Sequence, residues 1–238
     1  RQAVDRADIV MASLLFLEEH VRAIVPNLAA ARDRADAVIG LISDAAVVKQ
    51  TRLGDLDMAA PPTGLGKLMK RLRGSSKPGS ASGAKQMAML RRLPRILRFL
   101  PGKAQDLRAW FLTMQYWLGG SDDNIEQMIR FLLSRYARNA DWHGRPAALP
   151  VEYPEVGLYH PELAARIVTD AKDLHVPRGA RGTVGLLMMR SYILAGDTAH
   201  YDAVIRQLEG RGLRVLPAFA GGLDARPAIA AYFAGDRV

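Results

Sequence analysis

The chain has 238 residues, 49% of them apolar, which is enough for one large domain or two small ones with sizeable cores. It has no cysteine, which excludes disulfides, thiolate nucleophiles and Cys-based zinc or iron–sulfur centres and fits a reducing compartment. No apolar run reaches the roughly 18 residues of a membrane span. The net charge of +9 is concentrated, because residues 58–105 hold eleven Lys and Arg and no acid, while the remaining 22 cations face 24 acids. A nucleic-acid-binding role for the whole chain loses its support with that imbalance confined to one segment.

The opening "RQAVDRADIV" has neither an initiating Met nor a signal-peptide pattern, so the chain reads as a piece of a longer one. "ADIVMASLLF" has the continuous apolar pattern of a buried strand. "LEEHVRAIVPNLAAARDRA" follows as a helix that Pro26 is expected to kink or end. "AVIGLIS", Ala37 to Ser43, is a second buried strand, and "DAAVVKQTRLGDLDM" a second helix with Asp44 as its N-cap. Strands alternating with helices predict an α/β fold, here an incomplete Rossmann- or flavodoxin-like parallel sheet with helical additions. Two strands are too few for a stable sheet, so others are expected before Arg1.

From about Ala59 to Ala84 the composition turns to Pro, Gly, Ser and Lys and predicts a mobile linker. A basic amphipathic stretch follows, Lys85–Lys103, with Met87, Leu90, Leu93, Leu97 and Leu100 at helical spacing. Three readings stay open for it: a helix packed on its own domain with solvated arginines, a contact with an anionic membrane surface, or nucleic-acid binding. The last has no recognised motif behind it. "AQDLRAWFLTMQYWLGG" is an aromatic helix ending at Gly119–Gly120, whose Trp110, Phe111, Tyr116 and Trp117 suit a core or a flat ligand's pocket. "SDDNIEQMIRFLLSRYA" is the clearest helix, with Ile125, Met128, Ile129, Leu132, Leu133 and Tyr136 on one face. The proline-rich run after it places a domain boundary near residue 148, dividing the chain into 1–147 and 148–238. In the second part "VGLYHP", "GTVGLLMMRS" and "GLRVLPAF" read as strands, with a helix after each of the last two, making the start of a second parallel α/β domain.

None of the five histidines forms a His-x-x-x-His pair or a zinc-ligand spacing, and no metal site is assigned. The stretch "RSYILAGDTAHY", Arg190–Tyr201, lies at the carboxyl end of a parallel strand, where open α/β folds hold ligands. Asp197 or Thr198 can cap the helix beyond it. It lacks a GxGxxG pattern, which argues against a dinucleotide. Arg190 beside Ser191 and Tyr192 suits a carboxylate-bearing ligand, and Gly221–Gly222 ends the next strand in a way that lets a ligand approach backbone. The plain alternative is a connection that buttresses a neighbouring domain.

"LRAWFLTMQYWLGGSDDNIEQMIRFLLSRYA", "YPEVGLYHP" and "GLLMMRSYILAGDTAHYDAVIRQLEGRGLRVLPAFAGGLDARPAI" together resemble the magnesium chelatase H-subunit family, within the CobN/magnesium chelatase superfamily. "SLLFLEEHVRAIVPNL" and "GDLDM" resemble the family's amino-terminal region. The resemblance implies a porphyrin-binding component of a cytoplasmic ligase that inserts Mg²⁺ into protoporphyrin IX on the way to chlorophyll or bacteriochlorophyll. It implies ATP hydrolysis by two partners, an AAA+ ATPase subunit and an integrin-domain-containing subunit, with no ATP bound here. It carries over "YHP…RSY…H" to His160, Arg190, Ser191, Tyr192 and His200 as porphyrin-cleft candidates. It leaves the catalytic residues unassigned, with most expected beyond Val238 and the piece inactive alone. Two alternatives stand beside it: a cobalt chelatase large subunit of cobalamin synthesis, against which the helix pair in Lys103–Ala137 counts, and a non-catalytic membrane- or partner-docking module centred on Lys67–Lys103. Limited proteolysis is predicted to cut first within 59–84, where little apolar surface can be buried; a first cut inside 107–138 contradicts this organisation.

Overall fold

The structure, a computed structural model, describes residues 2–61, 94–174, 179–222 and 224–234. The linker expected at 59–84 therefore lies outside the described residues from 62 onward, as does the 85–93 part of the basic helix. The chain divides into two compact units, one of 1–118 with 124–150 and one of 119–123 with 151–238. Among the described residues no helix is long and apolar enough to cross a membrane.

The first unit opens with α1 (Gln2–Arg6), β1 (Ile9–Ser13), α2 (Glu18–Ala31) and β2 (Ala37–Leu41). β1 and β2 pair in parallel, from Ile9 opposite Ala37 to Ser13 opposite Leu41. α2 runs through Pro26, which therefore does not end it, one of the two outcomes expected there. Asp44 caps α3 (Ala45–Val48) as expected, its carboxylate accepting the Ala46 N–H at 2.8 Å.

The helix expected to continue through "DAAVVKQTRLGDLDM" stops at Val48. Beyond it a hairpin of β3 (Arg52–Leu53) and β4 (Leu56–Asp57) gives a sheet ordered β1-β2-β3-β4, with β3 antiparallel to both neighbours. Two side chains explain the switch. The buried Thr51 hydroxyl accepts the Gly40 N–H at 2.9 Å and so fixes the chain against β2. Gly54 sits at φ 57°, a left-handed value that opens a two-residue hairpin turn and no helix. The parallel sheet expected from the alternation is thus one parallel pair inside a mixed sheet.

β2 is buried along its whole length, which its unbroken apolar sequence permits. Ala37, Ile39 and Leu41 join Leu53 under α4 (Lys103–Gly119) and α5 (Asp122–Tyr136), against Leu107, Trp110, Phe111, Met114, Met128 and Leu132. Val38, with Val10 and Ala12 of β1, faces Leu28 and Ala31 of α2 and Val47 of α3. Helices therefore cover both faces of the sheet. Trp110 and Phe111 are core residues, and the Trp110 indole donates to the Gly40 carbonyl at 3.1 Å. Tyr116 is buried, donates its hydroxyl to the Ala148 carbonyl, and has its ionisation pushed up to about 12 by that burial. On α5 the anticipated face buries Met128 and Leu132 and leaves Ile129 half-exposed. The Asp106 carboxylate, buried in the first turn of α4, accepts from the Asp55 N–H at 2.9 Å, the Tyr136 hydroxyl at 2.8 Å and Arg135 at 3.4 Å.

The second unit contains β5 (Val156–Tyr159), β6 (Ile167–Val168), β7 (Thr183–Met189), α6 (Arg190–Leu194), α7 (Ala199–Gly210) and β8 (Arg214–Ala220), then a short helical stretch from Arg226 to Phe233. Its sheet runs β6-β5-β8-β7. β7 and β8 are parallel, from Thr183 opposite Arg214 to Met189 opposite Ala220, whereas β5 is antiparallel to both β8 and β6. This sheet too is mixed where a parallel one was expected. The ladder between β5 and β8 stops at Ala218, next to Pro217, whose nitrogen has no hydrogen to donate. One face packs Leu158, Leu216 and Ala218 on Ala228 and Tyr232. The other packs Tyr159, Met188, Val215 and Phe219 on Ile193 and Ile205.

A Cβ at Gly54 would lie 2.6 Å from the Asp106 carboxylate, whereas one at Gly102, with φ 68°, would meet nothing within 4 Å. Gly102→Ala is therefore predicted to cost only the backbone strain, about 1 kcal/mol, and Gly54→Ala about 2–4 kcal/mol because it also displaces a buried charged acceptor. Equilibrium denaturation of the two variants measures the difference; equal losses would show that the Asp106 contact does not matter. Tyr159 donates its hydroxyl to Asp202 at 2.7 Å, with the Thr198 hydroxyl 3.0 Å from it, all three buried. Tyr159→Phe is predicted to lose about 1–3 kcal/mol by stripping a donor from a buried carboxylate, and Tyr159→Phe with Asp202→Asn to recover part of that loss. The same denaturation experiment reads it.

Candidate functional site

β7 and β8 end together at Met189 and Ala220, and β5 begins at the same level with Val156 opposite Ala220. The carboxyl ends of the parallel pair thus bring together the residues after β7, the Gly221–Gly222 turn after β8, and 153–155 before β5. The stretch expected to be a loop begins as α6, with Arg190 as its first residue.

Arg190 is partly buried. Its Nε donates to the Pro154 carbonyl at 2.8 Å and a terminal nitrogen to the Tyr153 carbonyl at 3.1 Å. The guanidinium straps the lead-in of β5 to the end of β7. Across the same end, the Gly221 N–H donates to the Glu155 carbonyl at 2.7 Å, and the Glu155 carboxylate occupies the space a Cβ at Gly221 would need. Ser191 is exposed.

Tyr192 is 41% exposed and meets the His200 ring edge-to-face at 5.3 Å and the Tyr201 ring at 6.2 Å. His200 lies 4.0 Å from Tyr201, tilted by 40°. The Tyr201 hydroxyl accepts the Met189 N–H at 3.1 Å, which fixes the cluster to the strand end. Three rings, two of them exposed, stand together at the carboxyl end of β7. Such a surface can stack a flat aromatic ring.

His160 is not part of this group. It is 3% exposed, at the end of β5, with Nε2 donating to Glu209 at 3.1 Å and Nδ1 accepting the Glu162 N–H at 3.2 Å. Glu209 follows His200 by nine residues on α7, roughly 13 Å along the helix axis. The structure therefore gathers Arg190, Ser191, Tyr192 and His200 and sets His160 at the other end of α7, as the pin of the turn between β5 and β6. Arg206 of α7 reinforces that turn through Glu162 at 3.2 Å.

Thr198 occupies the N-cap position of α7 but makes no capping bond with its side chain. Its hydroxyl lies 3.0 Å from that of Tyr159 and donates to Asp202 at 3.4 Å, and burial pushes the ionisation of Tyr159 upward. Sequence reading missed Tyr159, Asp202 and the two carbonyls that Arg190 holds. An Asp in the first turn of α7 was visible; that a tyrosine from β5 reaches it depends on strand order, which no local pattern gives. Among the described residues no group of three or more His, Asp or Glu is placed to hold a metal ion.

The chain matches two family profiles. One is a domain of unknown function, DUF3479, over residues 1–111, and the other is CobN/Magnesium Chelatase over residues 114–238. It is 64% identical over 233 residues to the magnesium-chelatase H subunit of Cereibacter sphaeroides, covering 98% of this chain and 20% of that protein. It is 58% identical over 235 residues to the magnesium-chelatase H subunit of Rhodobacter capsulatus, covering 99% of this chain and 20% of that one. With the chloroplastic magnesium-chelatase ChlH protein of rice, Oryza sativa, it shares 32% identity over 231 residues, 92% of this chain and 16% of the rice protein. The chain thus spans about a fifth of the length of the first two of these relatives. With the chelatase profile matching more than half of its residues, this chain belongs to the CobN/magnesium chelatase family.

Proposed function

We propose that this chain is part of the porphyrin-binding H subunit of a magnesium chelatase, the ligase that inserts Mg²⁺ into protoporphyrin IX in chlorophyll or bacteriochlorophyll synthesis. The observation that carries the reading is the 64% identity over 233 residues to a protein of that name. Mg²⁺ and the porphyrin are substrates. Metal insertion replaces two pyrrole protons, and Mg²⁺ gives up its waters reluctantly, which is the reason to couple the step to ATP. The nucleotide is used by partner subunits, an AAA+ ATPase and an integrin-domain-containing protein, in the cytoplasm. In this reading residues 1–147 are an amino-terminal α/β domain, with β1, β2 and their flanking helices as part of a Rossmann- or flavodoxin-like layer, and 148–238 begin the chelatase domain.

The end of β7 and β8 then lines the porphyrin cleft of the intact protein. Tyr192 and His200 offer ring faces to the macrocycle, and Ser191 a hydroxyl. Arg190 supplies positive charge for a propionate while holding the 153–154 carbonyls. His160, buried and bonded on both ring nitrogens, supports the fold of the β5–β6 turn and stays away from the ligand.

Two measurements test this. The intact protein with its partner subunits, Mg²⁺ and ATP should convert protoporphyrin to its magnesium complex, read by fluorescence; insertion of Co²⁺ into a corrinoid precursor in its place would overturn the assignment. For the cleft, Tyr192→Ala with His200→Ala should weaken deuteroporphyrin binding by about ten- to a hundredfold, from the loss of roughly 1.5–3 kcal/mol of ring contact. Arg190→Lys, which keeps the charge and loses the forked carbonyl bonds, should weaken it less. An unchanged dissociation constant in the folded double variant sinks the cleft reading and leaves the chelatase assignment standing.

A further inference from the structure

We infer that the turn formed by residues 94–103 is a docking surface for an anionic lipid bilayer. Its geometry starts from beneath. Leu97 is 4% exposed and belongs to the core under α4, and Pro94 is buried beside it. The Arg108 Nε of α4 donates to the Pro94 carbonyl at 3.0 Å. The Gln105 amide donates to the carbonyls of Leu97 at 2.9 Å and Arg98 at 3.2 Å, and also to that of Leu100. The turn is therefore held by an apolar anchor and by the Arg108 and Gln105 donors that reach its carbonyls.

That anchoring points the other side chains outward. Ile96 is 61% exposed, Phe99 83% and Leu100 44%. Ile96 stands three residues before Phe99 and four before Leu100, so on a helical turn the three share a side. Arg95, Arg98 and Lys103 are exposed around them. These are three of the eleven cations in 58–105, an interval with no acid.

Charge complementarity selects the occupant. Three exposed cations on one turn call for a polyanionic surface. Exposed Ile96, Leu100 and Phe99 call for one with an apolar interior within side-chain reach. A bilayer carrying anionic headgroups supplies both, with the apolar side chains entering the acyl boundary and the cations meeting the headgroups. Nucleic acid supplies the charge and a stacking partner for Phe99 but nothing for Ile96 and Leu100.

The test is co-sedimentation of the intact protein with vesicles of phosphatidylcholine and phosphatidylglycerol in equal parts, against vesicles of phosphatidylcholine alone. The protein should pellet with the first and not the second, and release as salt rises. Arg95→Gln with Arg98→Gln should weaken partitioning by roughly thirtyfold, at one headgroup interaction lost per cation. Ile96→Ser with Phe99→Ser should weaken it at least tenfold while leaving the melting temperature unchanged, since neither side chain is in the core. The inference is overturned if the protein ignores anionic vesicles, or if both variants partition like the parent. It is equally overturned if a single-stranded oligonucleotide binds more tightly than the vesicles and is indifferent to Ile96→Ser, which would make the patch a nucleic-acid surface.

Discussion

A tyrosine hydroxyl handed to a buried aspartate in the first turn of a helix is the interaction on which each unit depends. In the first unit Tyr136 of α5 donates to Asp106 of α4 at 2.8 Å; in the second, Tyr159 of β5 donates to Asp202 of α7 at 2.7 Å. The first helical turn carries partial positive charge, so a carboxylate there is stabilised while it is taken out of water. The remaining cost of burying it is met by further donors: the Asp55 N–H and Arg135, from distant parts of the chain, for one, and Thr198, four residues earlier at the cap of the same helix, for the other. Burial pushes the ionisation of both tyrosines upward, so each keeps the proton that it donates. Because a buried carboxylate short of one donor is costly, each bond fixes the elements it joins more sharply than apolar contact would.

The consequence for the second unit is a division of labour along α7. Its middle carries Ile205 into the core, with Asp202 one turn before it taking the Tyr159 hydroxyl. Its far end is fixed to the β5–β6 turn by Glu209 and Arg206. The near end is left to present His200 and Tyr201 beside Tyr192. The exposed rings are held by the structure below them, through the Tyr201 hydroxyl on the Met189 N–H and the Arg190 strap. Under the proposed cleft reading this surface is preorganised, because the groups it offers are positioned by bonds that no ligand has to make.

The elements that the sequence foretold are those in which local chemistry and burial agree. The face of α5, the Asp44 cap, the strand β1 and the fully buried strand β2 come from periodicity and composition alone. The failures occur where a distant partner decides. Lys49 to Met58 reads as a continuation of the helix, yet the Thr51 bond to Gly40 and the Gly54 turn against Asp106 pull it into a hairpin. Pro26 stays inside α2 because the packing of Leu28 and Ala31 continues past it. Strand direction escapes the sequence for the same reason: alternating strands and helices place β7 beside β8 correctly but give no hint that β5 enters from the opposite side. At the site, the sequence marked the polar residues after β7 and could not separate His160 from them, since "YHP" carries no sign that Glu209 closes over its ring.

The boundary between the two family profiles makes the same point about what a domain is. The profiles meet between residues 111 and 114, inside α4, while the first compact unit runs on through α5 to Pro150. Leu107, Trp110 and Phe111 on one side of that meeting point and Met114, Met128 and Leu132 on the other lie in one core over β2. A division at residue 112 would open that core and strip Asp106 of Tyr136 and Arg135, which fall beyond it. Sequence descent and folding therefore draw the line in different places. Of the stretch from 114 to 150, which the chelatase profile claims, 114–118 and 124–150 belong physically to the fold of the sheet that precedes them.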